Sequence, residues 1–237
     1  MNPNKIRYNF ILALCKKNSG IGNKGQLPWT NLKEDMNYFK DLTTNNIVIM
    51  GRKTWESLPI KHKPLKNRIN IIISNTLDKD DISEYKDTYL ARTPGMALIK
   101  ANLLNPECHI YVIGGAEIYN LYLEHFKENL MEIYVTEIYN NYECDKVINY
   151  TDIKKSFKLI HVSRFCEDKG VHYRFLKYTT RLSSIREWEN EEELSYLYTL
   201  EEIINTGEKR ENRTDTNTLS KFGVTFSFDL TDTFPVL

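Results

Sequence analysis

The first group in this chain that could do chemistry is a carboxylate. Asp35 falls among Leu32, Met36 and Phe39, whose spacing predicts an amphipathic helix. On a helix Asp35 and Phe39 share a face, about one turn apart. If that face is covered, the acid is desolvated with it, and a desolvated carboxylate either pairs with N–H donors or handles a proton. If it is not covered, Asp35 is a solvated acid favoured by the positive end of the helix dipole. The residues alone leave both readings open.

Anion binding is the second possible chemistry. Gly114-Gly115 ends an apolar run and opens a helical segment. Free N–H groups at a helix start attract an anion, and glycines let a phosphate come close; a tight turn would use the same pair. Met50-Gly51-Arg52-Lys53-Thr54 is a second such junction, with two cations, and Ser74-Asn75-Thr76 closes a third apolar run. None of the three carries the GxGxxG fingerprint of the standard dinucleotide-binding fold.

The elements that must position these groups follow from the apolar runs. Residues 10–15, 47–50, 69–73 and 110–113 are short and continuous, as in strands buried on both faces. Helical spacing follows three of them, over 32–39, 52–57 and 118–126, and Pro94 opens another helix through Ala97, Leu98, Ala101 and Leu104. Asn31 reads as the N-cap of the first helix, with Glu34 three residues on as in a capping box. Further strands are expected near 131–138 and 157–165. A hairpin at Asp168-Lys169-Gly170 leads to a last strand over 171–178. This alternation predicts an α/β fold with a mostly parallel central sheet, flanking helices and a C-terminal antiparallel hairpin. The three junctions then share the C-terminal edge of the sheet, where such folds bind ligands.

Bulk properties exclude some classes. Lys+Arg and Asp+Glu are balanced at 32 each in 237 residues, so net charge points neither to nucleic acid nor to an anionic membrane. No apolar run approaches the roughly 18 residues of a membrane span, and the polar start does not look like a secretory signal. Cys15, Cys108, Cys144 and Cys166 form no CxxC pair and no zinc-spaced cluster with histidine. No metal is expected, and the thiols are expected to stay reduced in a cytoplasmic setting.

Composition changes after Thr180. Residues 181–193 read as a polar, acid-rich linker. Leu194, Leu197, Leu200, Ile203 and Ile204 keep helical spacing, residues 208–218 are basic and turn-prone, and Val224, Phe226 and Phe228 alternate as in a strand. One helix and one strand enclose no core of their own.

Four blocks now combine: Gly20-Ile21-Gly22 with Gly25-Gln26-Leu27-Pro28-Trp29, Asp35 and Phe39; Ile47-Val48-Ile49-Met50-Gly51-Arg52-Lys53-Thr54-Trp55-Glu56-Ser57-Leu58-Pro59; Pro64-Leu65-Lys66-Asn67-Arg68; and Ile113-Gly114-Gly115-Ala116-Glu117-Ile118-Tyr119. In this order and spacing, over about residues 8–178, they resemble the dihydrofolate reductase family. The resemblance implies hydride transfer from NADPH to 7,8-dihydrofolate, a reaction that antifolates block. Asp35 would be the catalytic acid of an apolar pteridine cleft, hydrogen-bonded to the 2-amino group and adjacent ring nitrogen. It would favour protonation of the reacting ring nitrogen, directly or through water.

The same resemblance distributes the other roles. Met36, Phe39, Leu58 and Ile113 would line the pocket, with Leu12, Leu65 and Tyr119 also on the substrate side. The Ile11 and Ile113 carbonyls would face the pteridine amino group, and Thr136 would reach that group through water. Arg68 would pair with the α-carboxylate of the substrate's glutamate, a partner suited to its fork of donors. Thr54 would stand where pterin and nicotinamide meet. Ala13, Ile21 and Gly22 would touch the nicotinamide end, with the loop 20–29 closing over it. Gly114, Gly115 and the helix start at Ala116, Glu117 and Ile118 would take the pyrophosphate, with a cis peptide between the paired glycines, and Gly51 would also lie on the cofactor side. Arg52, Lys53, Ser74, Asn75 and Arg92 would surround the 2′-phosphate; Asn75 stands where many relatives carry a basic residue.

In the tail, Glu208-Lys209-Arg210-Glu211-Asn212-Arg213-Thr214 and the stretch from Phe228-Asp229-Leu230 to Phe234-Pro235 resemble the start of the thymidylate synthase family. Arg213 would be a phosphate ligand, and Thr214-Asp215-Thr216-Asn217-Thr218 departs from that family's glycine-bearing run. The expected organisation is a reductase domain over 1–180, a linker over 181–193 and a synthase segment over 194–237. The segment with the nucleophilic cysteine is not among these residues, so no methyltransferase activity is expected of them. The parent protein is expected to be bifunctional and to dimerise through its synthase part. Two rivals remain: a pterin or pyrimidine reductase of the same fold, which needs no Arg68, and a silent binding module, which needs neither Asp35 nor the glycine pair.

Overall fold

The structure, a computed structural model, describes residues 2–180 and, beyond them, 203, 208–210 and 218–220. The chain divides into two compact units, Met1–Leu182 and Ser183–Leu237.

The first unit is built on β1 (Tyr8–Cys15), β2 (Gly20–Gly22), β3 (Ile47–Gly51), β4 (Ile69–Ile73), β5 (Thr88–Ala91), β6 (Ile110–Val112), β7 (Leu130–Ile138), β8 (Lys146–Val147), β9 (Phe157–Val162), β10 (Cys166–Asp168) and β11 (Val171–Thr180). Its helices are α1 (Lys33–Thr43), α2 (Arg52–Ser57), α3 (Pro94–Leu104), α4 (Ala116–His125) and α5 (Tyr150–Ser156). The central sheet runs β10-β11-β7-β1-β6-β3-β4-β5. All pairs from β7 to β5 are parallel, and β11 joins β7 antiparallel. The mostly parallel sheet and its closing hairpin are therefore present.

Strand alternation sorts the core into two faces. Tyr8, Phe10, Leu12 and Leu14 of β1, with Ile47 and Ile49 of β3, pack among residues of α3, α4 and α5 such as Leu98, Tyr122 and Ile153. Ile11 of β1 faces the other way, toward Tyr38, Phe39 and Leu42 of α1, while Val48 and Met50 meet Trp55 of α2. Both faces are covered, which is why these strands read as continuous apolar runs.

Four elements were not legible: β2, β5, β8 and α5. All are short, and β2 and β8, of three and two residues, pair with each other. The expected strand over 157–165 stops at Val162, though Ser163 still exchanges hydrogen bonds with Phe175. The turn after Asp168 has positive φ at both Lys169 and Gly170, the conformation of a two-residue type I′ hairpin.

The expected cap of α1 is corrected. Neither Asn31 nor Glu34 caps it: Leu32 is the N-cap residue and offers no side-chain hydrogen bond. The Lys33 N–H is instead accepted by Asp168 Oδ2 at 2.9 Å, from the distant β10. Leu32 is drawn into the core at 1% exposure, which shifts the helix start one residue and carries Asn31 out of capping position.

In the second unit β12 (Glu208–Arg210) pairs antiparallel with β13 (Thr218–Ser220), so part of the stretch read as turn-prone forms two strand arms. Ile203 is helical. The linker over 181–193, the rest of the helix expected through Ile204, and the strand expected at Val224 to Phe228 lie outside the described residues. Among the described residues no helix is long and apolar enough to cross a membrane, and no cluster of His, Cys, Asp or Glu is placed to hold a metal ion. All four cysteines are free thiols.

Candidate active site

The carboxylate of Asp35 is buried on the sheet-facing side of α1, at 9% exposure. Thr136 of β7 donates its hydroxyl proton to Asp35 Oδ1 at 2.6 Å. Thr136 is in register with Ala13 of β1 and Phe175 of β11, so the three stand side by side on the α1 face. Burial raises the pKa of Asp35 above the ordinary carboxylate range, and the Thr136 hydrogen bond, which favours the ionised form, offsets part of that rise. The solvated reading of Asp35 is thereby excluded.

The other end of α1 holds Arg68. Its Nε donates to Thr43 Oγ1 at 2.8 Å and its NH1 to the Lys66 carbonyl at 2.9 Å, while its guanidinium lies 5.7 Å from the centre of the Phe39 ring. Asn70 fixes the loop before it: Oδ1 accepts from Leu65 N–H at 3.1 Å, and Nδ2 donates to the Leu65 and Arg68 carbonyls, each at 3.0 Å. Asn70 was missed in the sequence, although a fully buried amide inside an Ile-Asn-Ile strand is a visible signal. Between these ends, Phe39 and Ile113 pack in one half-buried cluster, and Ile113 also meets Leu58 and Leu65 in the next. The four therefore form one continuous wall. Met36 belongs at its rim, with 38% exposure.

The glycine junctions meet at the C-terminal edge of the sheet. Gly51 N–H donates to the Gly114 carbonyl at 2.7 Å, and the Gly114-Gly115 peptide is cis. A Cβ on Gly51 would lie 2.8 Å from Ile118, and one on Gly114 would meet the Tyr119 ring at 2.8 Å; at Gly115 the space is open except for Thr54 Oγ1 at 3.3 Å. No side chain caps α4, so its first N–H groups face the space beyond Gly115, a cradle that fits a phosphate. Glu117 in that turn is exposed.

Several expected residues are placed differently. The Leu12 side chain packs on the α3–α4 face, opposite Asp35, because adjacent strand residues point to opposite faces; only its backbone is at the cleft. The Ile11 carbonyl accepts from the buried Tyr119 hydroxyl at 2.6 Å, so Tyr119 braces the cleft from below. Ser74 is buried and its Oγ accepts from the Thr76 and Leu77 N–H groups, closing the turn after β4; Asn75 is exposed there. Arg52 pairs with Glu56 at 2.7 Å and Arg92 with Asp78 at 3.0 Å, both pairs solvent-exposed and hence weak; Arg92 also donates to the Ser74 and Leu77 carbonyls at 3.0 and 2.7 Å. Lys53 is exposed beside them.

The loop 20–29 is more ordered than its polar composition suggested. Gly20–Gly22 pairs with β8, and Asn23 and Gln26 exchange backbone hydrogen bonds at 2.9 and 3.0 Å across a turn with positive φ at Lys24 and Gly25. Gly20-Ile21-Gly22-Asn23-Lys24-Gly25 matches the letters GxGxxG, yet it forms this hairpin rather than a helix start, so the dinucleotide-fold fingerprint does not apply. Trp29 then returns into the core beside Cys15 and Leu32, with a buried indole N–H.

The C-terminal edge of a parallel α/β sheet here joins a buried acid in an apolar cleft to an uncapped, glycine-lined helix start, the place where α/β enzymes bind ligands. The comparisons narrow that class. A family model for dihydrofolate reductase matches residues 8–180, and one for thymidylate synthase matches residues 194–237. The chain belongs to the dihydrofolate reductase family, whose members use a nicotinamide cofactor and a small-molecule substrate. A bifunctional dihydrofolate reductase-thymidylate synthase of Daucus carota is 30% identical over 279 residues, covering 99% of this chain and 51% of the relative. One of Paramecium tetraurelia is 32% identical over 239 residues, covering 100% and 48%. A Caenorhabditis elegans relative named for dihydrofolate reductase alone is 34% identical over 186 residues, covering 73% of this chain and 96% of its own length. The chain thus spans about half the length of the bifunctional relatives.

Proposed function

We propose that this chain reduces 7,8-dihydrofolate to 5,6,7,8-tetrahydrofolate with NADPH, and that Asp35 is its catalytic residue. One observation carries the reading: Asp35 and the Arg68 anchor Thr43 are buried at two ends of one helix, with an apolar wall between them. Eight positions along a helix span about 12 Å. That suits a ligand with an N–H-rich heterocycle at one end and a carboxylate at the other. A pterin reductase without the glutamate has no use for the second end.

NADPH, when bound, supplies the hydride. The protein's own residues bind, orient and exclude water. Thr136 engages Asp35 Oδ1, and the second oxygen would accept from the ring N–H groups of a bound pteridine. In a desolvated cleft that charge-assisted pair is strong, and burial, which raises the Asp35 pKa above the ordinary carboxylate range, favours proton uptake there. Arg68 is half-buried, which lowers its pKa, but a guanidinium stays charged at neutral pH; its second terminal nitrogen makes only long contacts, to the Lys40 carbonyl at 3.5 Å and Thr44 Oγ1 at 3.3 Å, which a substrate carboxylate would replace. On the cofactor side the uncapped start of α4 and Gly115 would hold the pyrophosphate, and exposed Lys53, with Arg52 and Arg92, would draw the 2′-phosphate. Ala13, Ile21 and Gly22 would border the nicotinamide. We further propose a reductase domain over 1–180, a linker over 181–193 and a synthase segment over 194–237 that has no methyltransferase activity of its own. The parent would be a bifunctional homodimer. The four free thiols support a cytoplasmic setting.

The test mixes purified protein with dihydrofolate and NADPH and follows the nicotinamide absorbance, with Asp35→Asn alongside. Turnover that falls at least about tenfold (about 1.4 kcal/mol) in the mutant is expected. Turnover that survives the mutation removes Asp35 from the mechanism. Bound NADPH without turnover in either protein favours a silent module or another reductase.

A further inference from the structure

We infer that Asp168, on the β10–β11 hairpin, is a positioning residue for Asp35, holding the first turn of α1 at the place where the acid meets its ligand. The inference rests on the proposed role of Asp35.

The first turn of a helix has N–H groups with no partner inside the helix, and α1 supplies no side chain of its own for them. Asp168 Oδ2 takes the Lys33 N–H at 2.9 Å, two residues before Asp35. The adjacent Lys169 donates from Nζ to the Asn31 carbonyl at 3.0 Å. Two contacts thus tie residues 31–33 to one hairpin.

That hairpin is itself rigid. Its tight turn is closed by Glu167, which accepts from Gly170 N–H at 2.8 Å, and Asp168 is paired with Val171. Beneath it, Leu32 packs with Val171 and Tyr173. The β11 strand continues to Phe175, which is in register with Thr136. The strand system that carries the direct partner of Asp35 therefore also carries the group that fixes the backbone leading into it. Thr136 orients the carboxylate; Asp168 sets where the carboxylate starts from. A carboxylate at the helix start also complements the helix dipole, so hydrogen bond and charge must be separated experimentally.

The test uses the full chain with Asp168→Ala and Asp168→Asn; asparagine keeps an acceptor oxygen and drops the charge. Amide hydrogen exchange is read at residues 33–37 and, as an internal reference, in α4. Steady-state turnover with dihydrofolate and NADPH is read beside it, and thermal unfolding confirms that each variant is folded. For Asp168→Ala we expect exchange in the first turn of α1 to accelerate about tenfold while α4 is unchanged. We expect kcat to fall about fivefold or more with KM for NADPH unmoved. Asp168→Asn should restore both to within about twofold. Unchanged exchange in Asp168→Ala, equal losses in both variants, or acceleration spread through α4 would each overturn the inference: the first shows no hold, the second a charge effect, the third a general loss of stability. If the wild type itself does not turn over dihydrofolate, the fault lies with the reading of Asp35, and exchange alone then upholds or overturns the hold of Asp168 on α1.

Discussion

Asp35 and Thr43 are the buried residues of α1, and both are polar: the first accepts from Thr136 at 2.6 Å, the second from Arg68 at 2.8 Å. Helices usually bury apolar side chains. Here one helix spends its buried positions on an acid and on the anchor of a cation, and leaves Phe39 and Leu42 half-buried between them.

Burying that acid makes the fold pH-sensitive. The folded pKa of Asp35 lies above its ordinary value, so between the two the folded state holds a proton that the unfolded state has released. Stability therefore falls as pH rises through that window and stays lower above it. Asparagine has no proton to lose. Urea unfolding should show Asp35→Asn equal to wild type below the ordinary carboxylate pKa of about 3.9 and more stable at pH 7. A difference that does not change with pH would contradict the burial cost.

Thr136→Val removes the donor while nearly keeping the shape. The hydrogen bond favours the ionised acid, so its loss should raise the Asp35 pKa further and move the pH midpoint of turnover upward. Hydrogen bonds to charged groups contribute about 1.5–3 kcal/mol, so dihydrofolate should bind at least roughly tenfold more weakly. NADPH affinity, measured by fluorescence titration, should be unchanged; a matching loss there would mean general disruption.

Arg68→Lys keeps the charge and loses the fork. Lysine cannot reproduce both the Thr43 contact and a paired contact to a carboxylate. KM for dihydrofolate should rise about tenfold or more, while a pterin lacking the glutamate is reduced as before. Equal losses for both substrates would place Arg68 in the fold rather than at the substrate.

The paired glycines should separate fold from cofactor. Gly114 has φ of +105° and its Cβ would strike Tyr119, so Gly114→Ala should cost about 2 kcal/mol or more in unfolding free energy. Gly115→Ala meets Thr54 Oγ1 alone, so the protein should fold with its melting temperature nearly kept but bind NADPH about tenfold more weakly. If Gly115→Ala bound NADPH normally, the cradle would lie elsewhere.

The amino-acid sequence by itself determined the alternation of elements, because strands buried on both faces must be continuous apolar runs and the helices between them must repeat every three to four residues. It also marked Asp35, Arg68 and the glycine junctions, since their types and spacing form blocks that survive without any coordinates. Short elements such as β5 and β8 carried too few residues for a period to show. Only the tertiary structure decided which side each residue serves. Leu12 and Ile11 are neighbours in sequence, yet strand alternation sends one side chain to the far core and the other to the cleft. The start of α1 was misplaced for the same kind of reason. Asn31 and Glu34 look like a local cap, but burial of Leu32 and a carboxylate 135 residues further along won the competition for the Lys33 N–H. Which donor meets which acceptor across such a distance is set by the sheet's register, and no local pattern encodes it.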